Sequence, residues 1–186
     1  GISGYKAEIS RYHLYISLAC PWAHRTLIFR KLKGLEAFID ISVVHWLMEE
    51  NGWTFKEGPG VIPDSVNHAQ FMHQVYTKAN PDYTGRVTVP VLWDKETSSI
   101  VSNESSDIIQ MLNSSFDSVG ASAGDFFPTD LVAEMNQVNE RIYDTFNNGV
   151  YKCGFATSQK AYQNALDELF KTMDWMEDRL SQGRYL

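Results

Sequence analysis

Cysteine is scarce in this 186-residue chain: there are two, Cys20 and Cys153, far apart in sequence. They cannot build a disulfide framework, and no Cys-x-x-Cys accompanies them, which speaks against a zinc site. Positive charge is also in deficit. Sixteen Lys and Arg face 23 Asp and Glu, a formal net charge of −7, so neither a nucleic-acid surface nor an anionic membrane surface is expected. No apolar run is long enough to span a bilayer, no signal-peptide pattern opens the chain, and a reducing cytoplasm is the default setting. Internal repeats and low-complexity segments are lacking too. No methionine precedes Gly1, and the chain stops at Arg184-Tyr185-Leu186 just after the helix-end signal Gly183. Those ends read as cut, so a fragment is expected.

What is present suits a globular protein: 44% hydrophobic and 21% charged residues are enough for a sizeable core. Aromatic residues reach 13%, which hints at a pocket for flat molecules although most should be core. The most informative stretch is SLACPWAHR, Ser17 to Arg25. The run from Tyr12 to Ser17 alternates and reads as a strand; a helical pattern follows from Pro21 through Leu32. Pro21 fits the first helical position, where its missing N–H costs nothing. Cys20 then sits at the helix N-terminus, facing unpaired amides and the positive end of the dipole, with His24 and Arg25 as candidate cationic neighbours. A free cysteine is more often buried and inert than reactive. The strand–Cys–Pro–helix setting reverses that expectation and favours a reactive thiolate.

Further along, Phe38 to Val44 reads as a second, parallel strand and residues 45–64 as a loop carrying Trp53; a helix is expected from about Val66 to Lys78. The run Arg86-Val87-Thr88-Val89-Pro90-Val91-Leu92-Trp93 is β-branched but interrupted by proline, which belongs at an edge, a bulge or a strand end, and a cis Val89–Pro90 bond would be one way to use it. Asp94 to Thr97 supply a turn and Ser99 to Val101 a returning strand. Asn103 is a good N-cap for a helix with Glu104 and Ser105 in its first turn. The order β-α-β-α-β-β-α predicts a thioredoxin-like α/β domain over residues 1–115. A small-residue linker, 116–128, and an all-α segment, 129–186, should follow, with helices over Thr129–Phe146 and Ser158–Leu180. The second of these carries Leu166, Leu169, Phe170, Met173, Met176 and Leu180 at helix spacing.

The runs SLACPWAHRTLI, ENGWTF, YTGRVTVPVLWD, VSNES and NNGVYK, in this order, resemble the glutathionyl-hydroquinone reductases, also called Xi-class glutathione transferases. That resemblance implies a thioredoxin-like glutathione-binding domain followed by a glutathione-transferase helical domain, here truncated. It implies Cys20 as the nucleophile, Trp53 packed on glutathione, and Arg86, Val87, Thr88 and Val89 along its peptide backbone. Glu104 and Ser105 would hold its γ-glutamyl end, and Tyr151 would act as the acid–base group, carried toward the domain cleft by an Asn147-Asn148-Gly149 turn that ends a helix. Read without the resemblance, Trp53 and Tyr151 would be core aromatics, Ser105 a cap and Glu104 a surface charge.

The activity implied is reduction of glutathionyl-hydroquinones to hydroquinones through a Cys20–glutathione mixed disulfide, with glutathione as co-substrate, no metal, no nucleic-acid or membrane partner, and a homodimer when full length. Two alternatives stand beside it. One is an Omega-like thioltransferase or dehydroascorbate reductase; the other is a non-enzymatic binding protein on a transferase fold, which would not need Cys20.

Overall fold

The alternating run at Tyr12–Ser17 forms strand β1, with all six residues buried. In the computed structural model, which describes residues 4–186, β1 lies inside a four-stranded sheet of order β2-β1-β3-β4. It pairs parallel with β2 (Asp40–Val44) and antiparallel with β3 (Val91–Asp94), which pairs antiparallel with β4 (Ser99–Ser102). The period-2 alternation of β1 divides its side chains between two cores. Tyr12, Leu14 and Ile16 face Ala23 of helix α1 (Pro21–Leu32) and Ile108 and Leu112 of helix α3 (Ser105–Ser114). Tyr15 joins the other core, with Met72, Val75 and Tyr76 of helix α2 (Met72–Ala79) and Trp93 of β3. This is the helix–sheet–helix layering of the thioredoxin-like fold, with α1 bridging the parallel pair.

Several boundaries differ from those expected, each for a local reason. β2 starts at Asp40 rather than Phe38 because a 3₁₀ turn at Leu35–Ala37 draws the N–H groups of Phe38 and Ile39 onto the Leu35 carbonyl, at 3.0 and 2.9 Å. The second helix starts at Met72, not Val66. Asp64, almost wholly buried, takes the N–H groups of Val66, Asn67 and Ala69 and the hydroxyl of Tyr15, so the backbone there satisfies itself on a side chain instead of a helix. Gln74 then reaches back to the N–H groups of Gln70 and Phe71, at 2.8 and 3.0 Å, and closes the start of α2. The third strand is only Val91–Asp94; Arg86 to Val89 lie outside the sheet, and the Val89–Pro90 bond is cis. Asn103 does not cap α3. Glu104 is the N-cap, accepting from the Ser106 N–H, while the Asn103 amide donates to the Tyr76 hydroxyl at 3.2 Å.

The segment expected as a linker packs onto the first unit as far as Phe126. Phe116 is buried in the α1/α3 core. The Ser122 N–H donates to the Lys33 carbonyl at 2.8 Å, and the buried Lys33 ammonium reaches the Gly124 carbonyl at 2.8 Å and Asp117 at 2.9 Å. Gly34 turns the chain after α1 at φ +63, a left-handed conformation that calls for glycine. The chain divides into compact units between Phe126 and Phe127.

The second unit is helical: α4 (Val132–Ile142), a π-helical turn over Tyr143–Asn147, α5 (Gly149–Gly154) and α6 (Gln159–Gln182). The Asn147-Asn148-Gly149 sequence therefore does not end a helix. Asn148 is right-handed, at φ −83 and ψ −19, and the helical path continues into α5. Gly149 is buried against Leu169, where a Cβ would stand 3.4 Å away. Ser158 caps α6 by accepting the Ala161 N–H. Trp175 lies under the guanidinium groups of Arg141 and Arg179, and Arg179 reaches Glu134 at 2.6 Å, tying α4 to α6. Of the six apolar positions expected along α6, Leu169 is buried, whereas Phe170, Met173 and Leu180 are exposed. No helix among the described residues is long and apolar enough to cross a membrane.

Candidate active site

Cys20 occupies the N-cap of α1 with extended backbone angles, and Pro21 follows at the first helical position. The turn is held by the Cys20 N–H on the Ser17 carbonyl at 3.2 Å and by the Ala19 N–H on Ser17 Oγ at 3.2 Å. The sulfur does not cap the first-turn amides as expected. The thiol sulfur is only a weak acceptor for those amides, and its proton is donated to the Val89 carbonyl at 3.4 Å. Cys20 is half-buried and packs against both cores, so the reactive atom sits where the end of β1, the start of α1 and the segment before Pro90 converge.

That segment is suspended on tyrosines. The Tyr76 hydroxyl donates to the Thr88 carbonyl at 2.9 Å and receives the Thr88 N–H at 3.3 Å, and the Tyr83 hydroxyl donates to the Arg86 carbonyl at 2.6 Å. Desolvation, helped by Tyr76, raises the Tyr83 phenol above its ordinary value. Val89 is buried while Arg86 and Thr88 are exposed. Trp53 and Val87, half-buried, pack as Cys20 does against the core that includes Tyr15, Met72, Tyr76 and Val89. The Trp53 carbonyl also receives the Met72 N–H at 2.9 Å, fixing its loop to the start of α2.

A second polar cluster lies at the N-terminus of α3. Glu104 Oε1 receives the Ser106 N–H at 3.2 Å, and the Ser105 hydroxyl donates toward it at 3.5 Å. Arg25, which the sequence offered as a neighbour of the thiol, sends Nε and Nη2 to Ser105 Oγ at 3.0 and 2.7 Å. Its Nη2 lies 3.7 Å from Glu104 Oε1, and its guanidinium stacks over Trp22 at 5.0 Å. A buried hydroxyl, a carboxylate and a guanidinium are thus gathered at a helix end, a setting suited to a zwitterionic amino-acid group.

Of the residues singled out in the sequence, the fold brings Cys20, Trp53, Val87 and Val89 into one neighbourhood, and Glu104 with Ser105 into another joined to it through α1. Tyr151 belongs to the second unit. It lies on α5, half-buried, with its ring stacked parallel to Phe155 at 6.4 Å. Tyr76 and Tyr83 carry no sequence signal as site-building residues, and Asn103 and Arg25 take partners other than the helix cap and the thiol that the sequence offers them. Their spacing carries no motif, because each acts on a segment that only folding brings near.

Residues 19–115 match the family described as Glutathione S-transferase, N-terminal domain. The chain is 54% identical, over 99% of its length, to the glutathionyl-hydroquinone reductase PcpF of Sphingobium chlorophenolicum, covering 59% of that protein. It is 57% identical, over its whole length, to the glutathionyl-hydroquinone reductase YqjG of Escherichia coli, covering 57% of that one. The glutathione-bound structure of YqjG superposes with a TM-score of 0.96, spanning 98% of this chain and 60% of its own. The glutathione transferase Xi of Phanerochaete chrysosporium does so with a TM-score of 0.96 at 49% identity, spanning 99% and 64%. The chain thus spans somewhat over half the length of these relatives. A thioredoxin-like unit with a cysteine at its first helix, a cis-proline beside it and a polar pair at the third helix, followed by a helical unit and matched over residues 19–115, places the chain in the glutathione S-transferase family.

Proposed function

We propose that this protein uses glutathione to reduce glutathionyl-hydroquinones to hydroquinones. The observation that carries the reading is the Cys20 thiol at the N-terminus of α1, 3.4 Å from the carbonyl of Val89 beside the cis-proline. Deprotonation of Cys20 takes away the thiol donor and leaves that carbonyl to accept an amide of a bound peptide, in the manner of an added strand. The resemblance to two reductases of this name, each over almost the whole chain, supports the same reaction.

The Cys20 thiolate attacks the sulfur of the glutathionyl-hydroquinone. An S–S bond forms and the S–C bond breaks; the ring carbon takes the bonding pair and is protonated by Tyr151, releasing the hydroquinone. A second glutathione thiolate attacks the mixed disulfide, giving glutathione disulfide and free Cys20. The ring is reduced by two electrons, and the substrate's thioether sulfur and one glutathione thiol become the two sulfurs of one disulfide. Cysteine is required because the intermediate is a disulfide. In this reading Trp53 packs on glutathione, Arg86 to Val89 pair with its backbone, and Glu104 and Ser105 hold its γ-glutamyl end. The thioredoxin-like unit thus binds glutathione and the helical unit contributes the acid. The reading carries a reducing, cytoplasmic setting and a homodimer of the intact protein.

The test is made on the intact protein. Cys20→Ser should abolish turnover of glutathionyl-menadiol while glutathione still binds. Tyr151→Phe should slow that turnover by about 10² to 10⁴, the usual loss for a general acid, yet leave release of glutathione from a simple mixed disulfide unchanged, where no carbon needs a proton. Equal slowing of both reactions would remove Tyr151 from the acid role. Faster turnover of dehydroascorbate than of glutathionyl-menadiol would replace the assigned substrate.

A further inference from the structure

The reaction above gives Arg25 no part, although it is bonded directly to the polar cluster at α3. Nε and Nη2 both donate to the single oxygen of Ser105, at 3.0 and 2.7 Å. Ser105 is 3% exposed, so little water competes. A serine hydroxyl has one proton to give and two lone pairs with which to accept. Two guanidinium N–H groups occupy the accepting side, and the proton remains, directed toward Glu104 Oε1 at a long 3.5 Å. Ser105 can therefore present only a donor to a ligand, and it does so beside a fixed positive charge. Such a pair suits a carboxylate and repels an ammonium, which is left with Glu104, the neighbouring acceptor.

We infer that Arg25 is the positioning residue that sets the polarity of γ-glutamyl recognition: it holds Ser105 as a donor for the α-carboxylate and directs the α-ammonium to Glu104. Stacking on Trp22 at 5.0 Å holds the guanidinium in place. Arg25 also stands on the helix that begins at Cys20, so one rigid element registers the γ-glutamyl end of glutathione against the thiol that meets its sulfur. The inference rests on the reading of Glu104 and Ser105 as the γ-glutamyl site.

The experiment separates the two. On a Cys20→Ser background of the intact protein, where no disulfide forms, calorimetry measures the Kd of glutathione and of two analogues. One is 4-aminobutyryl-cysteinylglycine, which lacks the α-carboxylate; the other is glutaryl-cysteinylglycine, which lacks the ammonium. The background protein should prefer glutathione over each by about 10- to 100-fold, the worth of a charge-assisted hydrogen bond. Arg25→Met should shrink the preference over the carboxylate-free analogue to about threefold or less, because the donor geometry and the charge go together. It should leave the preference over the ammonium-free analogue intact, and Arg25→Lys should recover part of the loss. A merely structural arginine would weaken all three ligands alike, and that result overturns the inference, as does an unchanged pair of preferences. If Arg25→Met fails to fold, Arg25→Lys decides, since a point charge without the fork must lower the carboxylate preference alone. A background protein that does not distinguish the three ligands would overturn the γ-glutamyl reading itself, whatever Arg25 does.

Discussion

Asp94 shows how much can hang on one residue. Its carboxylate is wholly buried and takes Arg11 Nε and Nη2 in a fork at 2.9 and 2.6 Å, together with Thr97 Oγ1 and the Glu96 N–H. Burial works to raise its pKa; the hydrogen bonds from Arg11 and Thr97 overcome that and hold it below the ordinary value, while the same fork raises Arg11. A folded-state pKa below the unfolded one adds stability at neutral pH that is lost only as pH falls below the carboxylate range. Asp94→Asn would leave the Arg11 guanidinium, itself 8% exposed, without its principal counter-charge. Glu96 at 2.6 Å and Glu8 at 3.4 Å still face that guanidinium, so the expected loss in urea unfolding is about 1–3 kcal/mol, the cost of buried hydrogen-bonding groups left unmet. Arg11→Met with Asp94→Leu, which removes both charges, should recover much of it.

At the scale of elements, α2 is a scaffold for the segment before the cis-proline. Its apolar face, Met72, Val75 and Tyr76, is anchored in the core, and the phenol of Tyr76 projects beyond that core to hold Thr88 by both its carbonyl and its N–H. Tyr76→Phe keeps the packing and removes those bonds together with the one from Asn103. The helix should stay folded, with unchanged far-ultraviolet circular dichroism. Glutathione should bind about fivefold more weakly, corresponding to about 1 kcal/mol for the order lost at its backbone-pairing segment. Calorimetry with glutathione checks this, and an unchanged Kd would mean that cis-Pro90 and the sheet hold the segment without α2.

Across the whole molecule, stability should depend on a histidine at the centre of the sheet. His13 in β1 is fully buried, and its Nε2 meets Ser42 Oγ of β2 at 2.8 Å. The Ser42 hydroxyl donates to the Pro63 carbonyl, so it accepts from His13, which places the ring proton on Nε2 and leaves Nδ1 buried without a hydrogen-bond partner. A second proton there would have no acceptor. Desolvation dominates, opposed by the more distant Asp64, and the pKa is lowered to about 4 from 6.5. Below the unfolded value the unfolded chain binds the proton and the native one does not, so stability falls as pH drops from about 6.5 to about 4 and is fully present above that window. The whole effect is about 3 kcal/mol by linkage. Urea unfolding between pH 7 and pH 4 should show it, and His13→Asn should flatten the slope over that range.

Much of this was written in local order. Pro21 after Cys20, the alternation of Tyr12–Ser17, the Pro90 interruption of a β-branched run and the turn at Asp94–Thr97 each constrain the backbone within a few residues. They were enough to recover the succession of strands and helices along the first unit and a cysteine at a helix N-terminus. What could not be read were the features settled by groups distant in sequence. Asp64 displaces the start of α2 by satisfying amides that a helix would otherwise use, and Lys33 captures a segment that composition describes as a linker. The thiol turns from its own helix to Val89, 69 residues away, and Arg25 turns from the thiol to Ser105, 80 residues away. Propensity and patterning act through neighbours in the chain. The partners of a buried charge or donor are decided only once desolvation makes an unpaired one too costly to leave, and that happens when the tertiary structure closes around it.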